Sequence, residues 1–169
     1  MDIVVASPTE IIFLEKTYSC VVGRGGIGIK NGEGDGITPV GRYPLRSLRY
    51  RPDLLSKPQT YLPTHTILPQ DGWCDDPNHI EYNRPIRLPF HASHEILWRS
   101  DPIYNLIIDL GFNDSPPIPG LGSALFIHVK SPTSSPTAGC IALTQNDLLD
   151  VLQNCSIDTF VQIKDCPQT

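Results

Sequence analysis

The chain predicts a mainly β fold with short helices, folded as a single domain over residues 1–169. Three observations carry this expectation. First, 17 prolines and 13 glycines punctuate 169 residues, leaving few stretches long enough for an extended helix. Second, apolar residues recur in short runs bounded by turn signals, which is the pattern of strands. Third, one segment near the C-terminus carries helical periodicity and a capping residue.

Taken in order, Ile3–Ala6, Glu10–Glu15 and Tyr18–Val22 read as strands of an antiparallel meander, with Ser7-Pro8 as the first turn. Residues 23–36 are glycine-dense and read as an irregular loop. Gly23-x-Gly25 and Gly26-x-Gly28 open no helix within a βαβ unit, so no nucleotide cofactor is expected. Tyr43–Leu48 reads as a strand. Residues 50–100 are broken repeatedly by proline. Within them Asp71-Gly-Trp-Cys-Asp-Asp-Pro77, followed by Tyr82-Asn-Arg84, is either a binding wall or a loop pinned on the core by Trp73. Phe90–Trp98 reads as a short helix with Ile96 and Trp98 inward. Tyr104–Phe112 is nearly continuously apolar and is expected at the centre of a sheet. Ala124–Ile127 reads as a buried strand ending at His128. The pattern is expected to turn helical after Cys140. Over Leu143–Leu152, Thr144 is the N-cap, Asp147 is at N3, and Leu148, Leu149 and Leu152 form the buried stripe. Thr159–Ile163 is a closing strand.

The net charge of −5 and pI near 5.4, with no basic cluster, argue against nucleic acid as a partner. No apolar run reaches membrane-spanning length, so no membrane partner is expected. The start of the chain lacks a basic and apolar leader pattern, and a cytoplasmic location is expected, or a periplasmic one if a leader precedes it. Five cysteines, odd in number and without a CxxC pair, favour reduced thiols over a disulfide framework or zinc knuckle. No metal site is expected. His79, His91 and His94 with Asp75, Asp76 or Glu95 are the nearest approach to one, but they lack ligand spacing.

The chemistry concentrates between His128 and Cys140. Of the histidines, only His128 sits where the core pattern fixes its ring. Cys140 follows Gly139, which permits a sharp turn and close approach of a substrate. A thiol nucleophile needs a base within reach and free backbone N–H groups for an oxyanion. A helix starting near Thr144 places a dipole that lowers the thiol pKa.

Here the chain resembles the L,D-transpeptidase catalytic-domain (YkuD-like) family. Its Ser/Thr-His-Gly-Cys-Ile/Val-Arg motif corresponds to Thr137-Ala138-Gly139-Cys140-Ile141-Ala142. The resemblance extends to Gly23-Arg-Gly-Gly, Lys30, Glu33-Gly-Asp35, Thr38-Pro-Val-Gly41, Trp73-Cys-Asp-Asp-Pro77, Tyr82-Asn83 and Gly122–His128. Ala138 stands in place of the motif histidine, and Ala142 in place of the arginine.

The resemblance implies a β-sandwich or barrel-like fold. It also implies a Cys–His pair acting on peptidoglycan (murein) stem peptides at the bond between the diamino acid and D-Ala. Cys140 is then the nucleophile and His128 its base. The carbonyl of Val129 orients the imidazole, and the N–H groups of Gly139 and Cys140 hold the oxyanion. Tyr82, Asn83, Trp73 and Thr137 are candidates to line the site. Arg24, Arg84 and Lys130 are candidates to hold substrate carboxylates. No cofactor is implied. The departures at 138 and 142, with the missing leader, favour an L,D-carboxypeptidase that trims tetrapeptides during wall recycling. Alternatives are an L,D-transpeptidase, a metal-dependent peptidase, and a catalytically silent murein-binding module.

Overall fold

The computed structural model describes residues 1–166. Its N-terminal meander comprises β1 (Asp2–Ser7), β2 (Glu10–Phe13) and β3 (Lys16–Ser19). Leu14 and Glu15 make the tight turn between β2 and β3 at φ 49° and 64°. These are the left-handed dihedrals that a two-residue hairpin demands. The glycine-dense loop is bracketed by β4 (Ile27–Gly28) and β5 (Thr38–Pro39), which pair in parallel. The long β6 (Gly41–Tyr50) follows, with β7 (Thr64–Thr66) alongside its end.

Next come β8 (Asp71–Cys74), β9 (Pro85–Arg87) and β10 (His94–Ile96), which form a small sheet in the order β10-β8-β9. The chain continues through β11 (Leu106–Leu110), β12 (Phe126–Val129), β13 (Ile141–Leu143), α1 (Gln145–Leu152) and β14 (Phe160–Ile163). The main sheet runs β13-β12-β11-β6-β14-β1-β2-β3. Its two ends nearly meet. Val21, just beyond β3, and Ala142 in β13 exchange backbone hydrogen bonds at 2.9 Å. The sheet is thus close to a barrel, and most of its edge is paired.

Alternation along β11 and β12 divides two cores. Leu106, Ile108, Leu110, Ile127 and Val129 face the barrel interior. Ile107 and Phe126 face the other way, into a second cluster with Ile67, Trp73, Leu97 and Tyr104 beneath the small sheet. β11 is central, paired on both sides, as expected. The α1 cap is also as expected, with Thr144 Oγ1 accepting from the Asp147 N–H at 3.2 Å. Leu148, Val151 and Leu152 are buried, and Leu149 packs at the margin. No helix among the described residues is long and apolar enough to cross a membrane.

Three expectations are corrected. Phe90–Trp98 is no helix. Its second half is β10, paired to β8, which sends Glu95 toward the site, buries Leu97 and leaves Ile96 half exposed. Partners distant in sequence, not local periodicity, decide this segment. The strand expected at Ala124–Ile127 is shifted to Phe126–Val129, because Ala124 adopts φ 52° and cannot continue a strand. Residues directly after Cys140 form β13 rather than a helix, because Ile141 and Leu143 are drawn into the barrel interior beside β12.

Candidate active site

β12 and β13 pair in parallel, with His128 opposite Ala142 and Ile127 opposite Ile141. Ile127, Val129, Ile141 and Leu143 all face the barrel interior. Alternation therefore puts His128 of β12 and Cys140, the residue immediately before β13, together on the opposite face. Cys140 lies two residues before Ala142, the strand partner of His128. Cys140 Sγ donates to the Ala124 carbonyl at 3.1 Å and accepts from the Phe126 N–H at 3.4 Å.

The His128 ring is held from one side by its own strand. Nδ1 lies 2.9 Å from the Val129 carbonyl. A carbonyl only accepts, so Nδ1 carries the hydrogen, and Nε2 is the free base. Tyr104 contacts the ring edge-to-face, with centroids 5.5 Å apart.

The turn before Cys140 is tied down on both flanks. Thr38 Oγ1 accepts from the Gly23 N–H and donates to the Gly139 carbonyl, each at 2.8 Å. Thr137 Oγ1 donates to the Cys140 carbonyl at 2.5 Å and accepts from the Gly139 N–H at 3.1 Å. Gly139 sits at φ 139°, and a Cβ there would stand 3.0 Å from the Ile37 carbonyl oxygen. Only glycine fits this position without strain. The Gly139 N–H expected as an oxyanion donor is therefore engaged by Thr137. The Cys140 N–H has no partner among the described residues.

Two adjoining cavities open here. One, of about 200 Å³, is lined by Cys140, Gly139, Lys30, Glu33, Asp75 and Glu95. The other, of about 320 Å³, is lined by His128, Tyr104, Arg99, Thr137 and Ala142. Glu95 and Ala138 line both. Burial pushes the Cys140 thiol up to about 12, and the Glu95 charge adds to this; the Phe126 N–H and Lys30 oppose it. The lowering expected from a helix dipole does not occur. β13 separates Cys140 from α1, and the dipole fades beyond the first turn. Burial draws His128 down to about 4. The resting pair at neutral pH is thus a thiol beside a neutral imidazole.

The family model of YkuD, the L,D-transpeptidase catalytic domain, matches residues 4–163. The chain belongs to this family. No curated protein and no solved structure matches it. As a YkuD domain it has L,D-transpeptidase-type activity, with peptidoglycan peptides as substrates.

Within this YkuD domain the other sequence candidates separate. Trp73 and Asn83 are buried and belong to the support, not the wall. The Asn83 carbonyl oxygen accepts from Trp73 Nε1–H at 3.0 Å and from the Ala124 N–H at 2.9 Å. Its amide donates to the carbonyls of Phe112 and Asn113. Tyr82 is also buried, donating to Glu33 and accepting from the Gly122 N–H. Arg24 is turned to the Gly34 carbonyl at 2.8 Å. Arg84 lines a separate cavity with Asp109 and Asp114. Lys130 donates to Ser19 at the sheet closure. None of these three cations lines either cavity.

Lys30, Glu33, Glu95, Tyr104 and Arg99 also line these cavities, although the sequence did not mark them as candidates to line the site. Lys30 and Glu33 lie in the glycine loop, whose matching residues were the available signal. Among the described residues, no group of three His, Cys, Asp or Glu side chains gathers as a metal site.

Proposed function

We propose that this YkuD domain is an L,D-carboxypeptidase that releases terminal D-Ala from murein tetrapeptides by cysteine acyl transfer. His128 Nε2 takes the proton of Cys140 as the sulfur attacks the carbonyl of the diamino acid residue. The Cys140 N–H steadies the developing oxyanion. His128 then gives its proton to the departing nitrogen, the C–N bond breaks, and D-Ala leaves behind a thioester. Water, deprotonated by His128, attacks the thioester, and the thiol is restored as the tripeptide leaves.

The observation that carries this reading is the shared sheet face of Cys140 and His128, opening into two joined cavities. The choice of water over an amine is supported by the walls of the His128 cavity. Ala138 and Ala142, which replace the histidine and arginine of the motif, both line it. The side on which a second peptide would approach the base therefore offers methyl groups where the motif has polar ones. Soluble stem peptides met in the cytoplasm during wall recycling are the proposed substrates, and the odd cysteine count suits such a reducing compartment.

Incubation with a murein tetrapeptide, with and without an amine acceptor, tests the outcome by product mass. Release of D-Ala and tripeptide without acceptor is expected. Exchanged or crosslinked product alone would make the transpeptidase the correct assignment.

A further inference from the structure

Charge around the nucleophile is unbalanced. The Cys140 cavity is lined by the carboxylates of Glu33, Asp75 and Glu95 and by the ammonium of Lys30. Lys30 is already committed, with Nζ 2.6 Å from Asp35 Oδ1 and 3.4 Å from the Ile37 carbonyl. Arg99, in the adjoining cavity, is bound by Asp101 at 2.6 Å. Among the described residues, Glu33, Asp75 and Glu95 have no ion-pair partner. Their hydrogen bonds come from the uncharged hydroxyls of Tyr82, Ser93 and Tyr104.

Glu95 differs from the other two in position. It lines the cavity of the thiol and that of the imidazole. The Tyr104 hydroxyl fixes its carboxylate at 2.6 Å, and the same tyrosine ring packs against His128. The groups that act on it are Tyr104, Asp75, Arg99 and Glu33, two of them also acidic. A fixed carboxylate beside a sulfur that must become negative opposes catalysis. A cation delivered by the substrate would remove that opposition.

We propose that Glu95 is the specificity-determining residue of the site: it receives an ammonium group on the side chain of the residue whose carbonyl Cys140 attacks. The pairing neutralises the carboxylate and favours the developing thiolate, so the preference for a diamino acid before the terminal D-amino acid is carried by Glu95. This inference rests on the thiol acyl-transfer reading of the same site.

The test compares two peptides that end in D-Ala and differ only in lysine or norleucine before it. D-Ala displacement is measured with water alone and with an added amine. Wild-type protein is expected to prefer the lysine peptide in kcat/KM by roughly ten- to hundredfold, the scale of a charge-assisted hydrogen bond. Acetylating the lysine side chain removes the preference. In Glu95→Gln the preference falls to within about threefold, while Tyr104→Phe, which keeps the carboxylate, retains most of it. Equal wild-type rates for the lysine, acetyl-lysine and norleucine peptides overturn the inference alone, as does an unchanged preference in Glu95→Gln. Equal wild-type rates overturn the inference even if the variants fold poorly. No displacement from any peptide, with or without amine, overturns both this inference and the acyl-transfer reading.

Discussion

The thiol of Cys140 donates to the carbonyl oxygen of Ala124 across 3.1 Å, and Ala124 itself is held at φ 52°. That conformation is maintained from behind. Asn83 accepts the Ala124 N–H and the Trp73 indole N–H, and it donates to the Phe112 and Asn113 carbonyls. The proposed nucleophile is thus held by a buried amide that lines neither cavity of the site. Replacing Asn83 by alanine leaves several buried groups unpaired. A loss of about 3 kcal/mol in chemical denaturation is expected, with a fall in kcat exceeding that in Thr144→Ala, which removes only the α1 cap. Equal kcat in the two variants would contradict this role.

Thr38 serves the other flank, joining the Gly23 N–H to the Gly139 carbonyl while fully buried. Thr38→Val keeps the shape and removes both bonds. It should destabilise by about 2 kcal/mol and slow turnover at least tenfold, whereas Thr38→Ser should retain both properties. Turnover in Thr38→Val close to wild type would show that the Cys140 turn holds itself.

The pH profile follows from the buried pair. The proposed mechanism needs neutral His128, whose burial draws it down to about 4. The acid limb of kcat/KM should therefore lie near pH 4, with a plateau through neutrality, in contrast to a histidine titrating at its ordinary value of 6.5. Cys140 is pushed up to about 12, so iodoacetamide should modify the free protein slowly at pH 7 and faster as pH rises. An acid limb near 6.5 would mean that the imidazole is solvated.

Asp109 on β11 is pushed up to about 6 by burial, against the pull of Arg49. Its folded value lies above the unfolded one, so the native state binds more protons between about 4 and 6. Its favourable contribution is complete below that window and lost as pH rises through it. Asp109→Asn should stabilise the protein by roughly 1–2 kcal/mol at pH 7.5, with the gain vanishing near pH 4. His128 works the other way. Its folded value is depressed, so its contribution is present above about 6.5 and lost as pH falls toward 4. In Asp109→Asn, with the opposing carboxylate gone, stability should rise with pH across that interval. Denaturant melts of both proteins at several pH values check the two signs.

Much of this was legible in the sequence where the signal is local. The meander, the central β11, the Thr144 cap and the placement of His128 in a buried strand follow from alternation, turn residues and capping chemistry. Gly139 before Cys140 likewise marked a turn that excludes side chains. What stayed hidden depends on partners far along the chain. Glu95 lies in a stretch whose apolar residues fit a helix as well as a strand, and only pairing with β8 aims it at the site. Trp73 and Asn83 fitted a binding wall and a loop pinned on the core equally well, because polar and aromatic residues in a long loop suit either. They are buried because Phe126 and Ala124 come back against them. The closure between Val21 and Ala142 left no mark in either segment.

The most direct test of the account is the mass of the intact protein, quenched during turnover of a murein tetrapeptide. A gain equal to the tripeptide acyl group, mapped to Cys140 and lost with Cys140→Ala together with D-Ala release, is the predicted result. Undiminished D-Ala release by Cys140→Ala, with no adduct on the wild type, would contradict it.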